Sequence, residues 1–255
     1  MTSATDPRPP LDRDRLPASV EILPAVGSTN AELGSRARNG AADGTVVVTE
    51  HQTAGRGRLD RVWETPARSA LTFSLLKRPD LPPVVWPWIP LATGLAIHTA
   101  LSGTVPGLGL KWPNDVLVDG RKLAGILVER IETPDGPAAV IGIGLNVSTT
   151  RDELPVETAT SLALESGEAP DRTDLLNGLL SSLESTLAAL STDLESVRTS
   201  YAAACVTVGK DVRVEVPAGE PLTGRVTGID TGGQLVVESA SGQVSVSAGD
   251  VIHVR

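Results

Sequence analysis

Three arginines, Arg56, Arg58 and Arg61, crowd the stretch HQTAGRGRLDRVWETP at residues 51–66, interleaved with Gly55 and Gly57 and followed by Trp63. Glycine lets backbone N–H groups approach an anion closely, and a guanidinium fork matches the oxygens of a phosphate or carboxylate. Each charge-assisted bond of that kind is worth about 1.5–3 kcal/mol. Trp63 adds a flat face for a base or another ring. Together these parts suit a ligand with a phosphate and a planar group. Taken alone, they suit a solvated surface loop equally well.

A second constellation is KWPNDVLVDGRKLAGILVE, residues 111–129. Lys111, Asn114 and Asp115 close one strand, and Lys122 opens the next. A lysine followed by Leu123, Ala124 and Gly125 can point into a pocket and neutralise carboxylate and phosphate charge. Asp115 has the chemistry to orient a lysine, hold magnesium or accept a proton. The plainer readings are a solvated hairpin lysine and a turn-forming aspartate. GSTN, residues 27–30, offers hydroxyl and amide groups to a small polar ligand, or simply caps a helix. GIGLNV, residues 142–147, ends on Asn146, which can read an adenine edge or merely close its strand. His51, His98 and His253 lack metal-ligand spacing. There is no P-loop and no G-x-S-x-G nucleophile.

These residues need elements to hold them. Val20 to Pro24 is a strand candidate. GSTNAELGSRARNG reads as a helix with Ser28 or Thr29 as its cap, Glu32 in the first turn and Gly40 past its end. GTVVVTEHQ and SALTFSLLKRP are strands flanking the glycine-arginine loop. Asp119-Gly120 signals a type I′ hairpin, and Pro134-Asp135-Gly136 a second turn. Three antiparallel strands follow, near 114–118, 122–131 and 137–147, and Gly142 and Gly144 mark a close approach in the third. Leucines at 175, 176, 179, 180, 183, 187 and 190 have helical spacing, with Asp171 or Thr173 as cap. After Cys205 come four or five short alternating strands with turns at Pro217-Ala218-Gly219, Thr231-Gly232-Gly233 and Ser241-Gly242, the texture of a small barrel.

Composition narrows the options. A net charge of −9 argues against general binding to nucleic acid. Leu81 to Leu110 carries no Asp, Glu, Lys or Arg, but Pro83, Pro87, Pro90 and Pro106 break it. A buried helix from about Trp88 to Leu101 explains it without a membrane. The single cysteine, Cys205, forms no internal disulfide and fits a reducing cytoplasm. The N-terminus has no apolar core of a signal peptide. Residues 1–17, rich in Pro, Arg and Asp, are expected to be disordered.

In order, spacing and content, GSTN, HQTAGRGRLDRVWETP, KWPNDVLVDGRKLAGILVE and GIGLNV resemble the biotin protein ligase family from about residue 20 onward. The resemblance implies an α+β fold: a mixed, largely antiparallel sheet with helices on one face in a catalytic domain at 18–204, then a small SH3-like β-barrel at 205–255. It implies a reaction in two steps. Biotin and ATP condense to biotinyl-5′-AMP, and a lysine of a biotin carboxyl carrier protein then displaces AMP. Carried over by position, Ser28, Thr29, Asn30 and Gln52 are biotin contacts. Arg56, Gly57 and Arg58 touch biotin and phosphate, and Arg61 touches phosphate. Trp63 and Asn146 meet the adenine, while Lys111 and Asn114 serve the nucleotide. Lys122 reaches both the biotin carboxylate and the α-phosphate, and Gly125 leaves room for the ureido ring. Lys122 and Arg58 are the residues expected to set the rate, and Asp115 to orient or deprotonate the acceptor lysine or to hold Mg2+. A cytoplasmic monomer or weak homodimer that binds neither DNA nor membrane is implied.

Two features depart from the family. About twenty residues precede the family's catalytic region, too few for the helix-turn-helix that some members carry, so the monofunctional kind is expected. Thr65 stands where a smaller Ser or Ala is commoner. The alternatives are a lipoate or octanoate ligase or transferase of the same fold, a ligand-sensing DNA-binding regulator, and a silent binding module. The loop and KWPND favour biotin over lipoate. The short N-terminus and acidity count against the regulator, and Lys122 with three loop arginines against the silent module.

Overall fold

The structure, a computed structural model, describes residues 8–59, 61–215 and 220–254. Along the chain its elements are β1 (Val20–Leu23), α1 (Thr29–Arg38), β2 (Val46–Thr49), β3 (Gly55–Arg56), β4 (Val62–Trp63), β5 (Ala70–Lys77), α2 (Trp88–Leu101), β6 (Leu108–Lys111), β7 (Asp115–Val118), β8 (Arg121–Thr133) and β9 (Gly136–Asn146). There follow α3 (Leu162–Ser166), α4 (Arg172–Thr192), α5 (Leu194–Ala204), β10 (Asp211–Glu215), β11 (Leu222–Ile229), β12 (Leu235–Ser239), β13 (Gly242–Val246) and β14 (Asp250–His253). The chain divides into two compact units, residues 1–79 with 120–180, and residues 80–119 with 181–255.

The first unit is built on strands in the order β1-β2-β5-β9-β8. β1 and β2 run parallel, and the remaining pairings are antiparallel. That is the mixed, largely antiparallel sheet expected. Ser28 caps α1 through its side chain, which accepts from the Ala31 N–H. Glu32 in the first turn and Arg36 and Arg38 in the last oppose the helix dipole. Leu33 and Ala37 face the sheet and bury with Val47, Leu76, Ala138 and Val140. Each large aliphatic so buried is worth about 1.5–3 kcal/mol. Period-2 alternation sends Val48, Phe73, Ile141 and Ile143 to the opposite face, and these are buried too.

Residues 8–17 correct the expectation of disorder. Leu11 and Leu16 are buried, and Arg13–Arg15 form a short 3-10 turn. Arg8 donates to the Ser148 carbonyl and pairs with Glu153. The Asp12 N–H donates to Thr173 Oγ1 at 3.0 Å, and Arg15 pairs with Asp171 and Asp174. A low average hydrophobicity conceals this, because two leucines and a few matched charges are enough to anchor a short arm. Residues 1–7, also expected to be disordered, lie outside the described residues.

In the second unit α2 is buried almost all round, which accounts for its lack of charge. No helix among the described residues is long and apolar enough to cross a membrane. Trp88 donates its indole N–H to the Thr231 carbonyl at 2.9 Å and meets Tyr201 edge to face, centroids 6.1 Å apart. β6 and β7 form an antiparallel hairpin. Trp112 lies buried between them and donates to the Gly233 carbonyl at 3.0 Å. The C-terminal strands form an antiparallel sheet in the order β13-β12-β11-β10-β14. No pairing among the described residues closes it into a barrel, which narrows the barrel expectation to an SH3-like sheet. The turn expected at Pro217-Ala218-Gly219 lies outside the described residues. At Asp119 and Gly120, φ is 48° and 80°, the two positive values a type I′ turn requires.

Candidate functional site

The N-terminus of α1 opens onto the sheet, where it meets a small polar network. The Thr29 N–H and hydroxyl donate to Gln52 Oε1 at 2.9 and 3.2 Å. Ser74 Oγ, from the middle of β5, bonds to Thr29 Oγ1 at 2.8 Å and Asn30 Oδ1 at 2.6 Å. Asn30 Nδ2 donates to the Leu127 carbonyl at 3.1 Å and to Glu129 Oε2 at 2.8 Å. Thr29, Asn30, Gln52 and Ser74 are all buried. A buried polar network so fully paired is rigid, and any member removed leaves its partners unpaired.

Beside this network the sheet is floored with glycine. Gly142 lies between Ser74 and Leu127 in register, and Gly144 between Thr72 and Gly125. A Cβ at Gly142 would stand 2.3 Å from Asn30 Oδ1, so only glycine admits that side chain. At Gly144 a Cβ would stand 2.4 Å from Trp63 Cε2. At Gly125 it would stand 3.2 Å from Lys122 Cε and Nζ and 3.4 Å from Trp63. At Gly125 and Gly144 the floor is therefore roofed by Trp63, with the Lys122 ammonium 6.0 Å from the indole centroid, within cation–π range. Trp63 Nε1 is buried with no hydrogen-bond partner among the described residues.

Lys122 is fixed through its backbone. Its N–H donates to the Thr158 carbonyl at 2.7 Å, and its carbonyl accepts from the Thr160 N–H at 2.8 Å. The same short segment holds Asn146, whose Nδ2 donates to the Thr160 carbonyl at 2.8 Å. Glu165 accepts from Thr160 Oγ1 and pairs with Arg121 at 3.0 Å. Lysine and asparagine, on adjacent strands, are thus tied to one strip of backbone.

Trp63 reaches the floor because the glycine-arginine loop folds back on itself. β3 and β4 pair antiparallel, with Gly55 opposite Trp63 and Arg56 opposite Val62. A Cβ at Gly55 would stand 2.2 Å from the Trp63 carbonyl, so the hairpin needs glycine there. Gly57 is under no such pressure, its nearest neighbours being 3.4 Å from a built Cβ. The Arg56 guanidinium turns to Glu129, 3.2 Å away. Arg58 is half-buried and Arg61 exposed, and the Arg61 N–H donates to the Arg58 carbonyl at 3.2 Å.

Lys111, Asn114 and Asp115 belong to the second unit. Lys111 and Asp115 face each other in register at the end of the β6–β7 hairpin, with Asn114 in its turn. Burial pushes the Tyr201 phenol well up, with Cys205 and, further down, Asp115 adding to the rise. Burial also lowers His98, and it lowers His253, to which Lys111 and Lys210 contribute. Cys205 is buried and free, and burial raises its thiol. Among the described residues no three His, Cys, Asp or Glu side chains gather where a metal ion would sit.

Within the first unit the structure brings Thr29, Asn30, Gln52, Arg56, Trp63, Lys122, Gly125 and Asn146 to one end of the sheet. Three participants escaped the sequence reading. Ser74, with Thr72, is one of two hydroxyls in an otherwise apolar buried strand, a legible signal. Glu129 is the residue that occupies Arg56. The strip Thr158–Thr160 carries no motif at all. The arrangement offers a shallow apolar floor, a polar end at the α1 terminus, a cation at the opposite end and an aromatic roof. It suits an elongated molecule with a polar ring at one end and a carboxylate at the other.

The model of the Biotin/lipoate A/B protein ligase family matches residues 25–146, and that of the Biotin protein ligase C terminal domain matches residues 207–254. A biotin–[acetyl-CoA-carboxylase] ligase of Mycobacterium tuberculosis is 40% identical over the whole of both chains. Another, from Paracoccus denitrificans, is 31% identical, covering 90% of this chain and 98% of its own. Among solved structures, a biotin protein ligase from Aquifex aeolicus in complex with biotin and ATP is 28% identical with a TM-score of 0.77, over 92% of this chain and 98% of that one.

Proposed function

Because the chain belongs to the biotin/lipoate A/B protein ligase family, we propose that it is an ATP-dependent biotin protein ligase. The observation that carries this reading is the glycine floor of Gly125, Gly142 and Gly144, covered by Asn30 at Gly142 and by Trp63 at the other two, and ended by Lys122. In the first step a biotin carboxylate oxygen attacks the α-phosphorus of ATP, and pyrophosphate leaves. In the second, the amine of a carrier-protein lysine attacks the acyl carbon of biotinyl-5′-AMP. AMP leaves, and the amide forms.

Ser28, Thr29 and Gln52 would meet the ureido end of biotin. Asn30 supports them, since its amide is already spent on Ser74, Leu127 and Glu129. The room at Gly125 goes to Lys122 and Trp63, so that glycine would serve biotin by letting those side chains close over it. Lys122 would neutralise the carboxylate and the α-phosphate as they approach, stabilising charge that grows in the transition state. Arg58 and Arg61 would meet phosphate oxygens, and Arg56 would join them on exchanging Glu129 for ligand. Gly57, whose N–H donates to the Arg61 carbonyl at 2.6 Å, would bring the backbone close to biotin and phosphate. Trp63 and Asn146 are assigned to the adenine, Lys111 and Asn114 to the nucleotide, and Asp115 to orienting or deprotonating the acceptor amine. Mg2+ would arrive with ATP and be held mainly by phosphate oxygens, as that ion commonly is, with Asp115 its proposed protein ligand. A loop ordered over the adenylate would shield the anhydride from water. We place the enzyme in the cytoplasm, as a monomer or weak homodimer that binds no DNA, with residues 18–204 catalytic and 205–255 a separate C-terminal domain.

The test is single-turnover formation of labelled adenylate from ATP and biotin without acceptor, with lipoate as control, followed by addition of a carrier domain. Biotin-dependent adenylate that passes to the carrier's lysine is the expected result. Adenylate formed with lipoate instead, or with neither acid, would overturn the reading.

A further inference from the structure

Glu50 is the last residue before the glycine-arginine loop, and a contact that joins the two ends of that loop meets there with a buried ion pair. Its carbonyl accepts from the Arg68 N–H at 2.7 Å, which joins the two ends. Its carboxylate is almost fully withdrawn from water. Oε2 accepts from Arg172 at 2.6 Å and Oε1 from the Leu11 N–H at 2.7 Å. Arg172, 6% exposed, also donates to the carbonyls of Pro9 at 2.8 Å and Ala70 at 3.4 Å. Ala70 opens β5, on the far side of the loop's neck. One guanidinium therefore grips both sides of the neck and the N-terminal arm at once.

A buried ion pair is a poor way to gain stability, because taking two charges out of water costs several kcal/mol per ion. It does fix geometry when every donor finds a partner, and here the fork is shared among a carboxylate and two carbonyls. The arm adds to this from outside: its Leu11 N–H takes the second carboxylate oxygen, and Asp12 and Arg15 hold it to the start of α4. None of these residues belongs to the polar network or the glycine floor.

We propose that Glu50 and Arg172 are positioning residues, a buried clamp sealed by the arm at Pro9–Leu16, and that the clamp sets how the glycine-arginine loop closes over the adenylate. The catalytic consequence rests on the ligase reading, whereas the hold on the loop does not. Arg172→Lys keeps a cation opposite Glu50 but cannot span the carboxylate and both carbonyls. Glu50→Gln keeps shape but leaves Arg172 without its counter-charge, and if that variant does not fold, Arg172→Lys alone decides.

The first measurement is limited trypsin digestion of the full chain without ligand. Cleavage after Arg56, Arg58 and Arg61 is expected to rise about tenfold in the variants, the worth of one charge-assisted hydrogen bond. Cleavage after Arg213 and Arg225 in the C-terminal sheet should not rise. The second is escape of adenylate in the single-turnover assay, which should rise by a similar factor while its formation changes little. Loop cleavage that is unchanged, or that rises only together with cleavage at Arg213 and Arg225, overturns the clamp. If the wild-type chain makes no adenylate while the variants still show the selective rise in loop cleavage, the ligase reading falls and the clamp stands.

Discussion

Trp63 fills the space above Gly144: a Cβ there would stand 2.4 Å from the indole Cε2 and 2.8 Å from its Nε1. That Nε1 is buried without a hydrogen-bond partner among the described residues. An unpaired buried donor costs about 1–3 kcal/mol. A ligand that shifts the ring or offers it an acceptor recovers that energy.

Tryptophan emission is therefore expected to change when biotin and ATP bind, and the change should vanish in Trp63→Phe although three other tryptophans remain. Gly144→Ala should displace the ring and weaken biotin binding, overpacking of this kind costing about 1–3 kcal/mol. Calorimetric titration checks it. Wild-type affinity in Gly144→Ala would mean that floor and ring play no part in binding.

Lys122→Ala should leave the fold intact, because the links to Thr158 and Thr160 run through the backbone. Adenylate formation should fall by roughly a hundred- to a thousandfold, the usual cost of losing one transition-state charge partner. Single-turnover assay of a variant with unchanged circular dichroism decides this. A wild-type rate would remove Lys122 from the chemistry.

Asn30→Ala strips partners from Ser74 and Glu129 and from the Leu127 carbonyl together. Leaving buried groups unpaired costs about 1–3 kcal/mol, so the urea midpoint should drop by a corresponding amount with an unchanged slope. If stability holds and only biotin affinity falls, Asn30 is a ligand contact and not a support.

The N-terminal arm should loosen in acid. The hydrogen bond from Arg8 is the largest cause holding Glu153 below its ordinary value of 4.5. For Asp171 the largest cause is the N–H of Asp174, with Arg15 contributing. A carboxylate whose folded pKa is depressed contributes stability in full above its unfolded pKa and loses it as pH falls through the folded one. Hydrogen exchange of residues 8–16, corrected for intrinsic rates, is expected to accelerate only below about 4.5, while β9 stays protected. Equal protection of the arm across that range would show that its apolar anchors alone hold it.

Much of this architecture was legible from local signals. The caps at Ser28 and Asp171, the Asp119-Gly120 turn and the uncharged α2 all follow from neighbouring residues, and each lies where spacing put it. The candidate site was legible residue by residue but not in its pairings. Nothing along the chain announces that Arg56 turns to Glu129, 73 positions away, or that Asn30 spends its amide inside the fold. Such partnerships depend on register across the sheet. The arm at 8–17 misled for a related reason: its partners Glu50, Glu153 and Arg172 are distant in sequence, and a composition average cannot see them.

The three glycines under Trp63 and Asn30 have a consequence for how this chain can change. Every substitution at Gly125, Gly142 or Gly144 adds atoms, and none can take any away. Mutation there can raise the floor but never deepen it. Drift at these positions moves one way only, toward a shallower recess and a shorter menu of acids. A broader appetite would have to come from the roof, where Trp63 is a large side chain that can be whittled down.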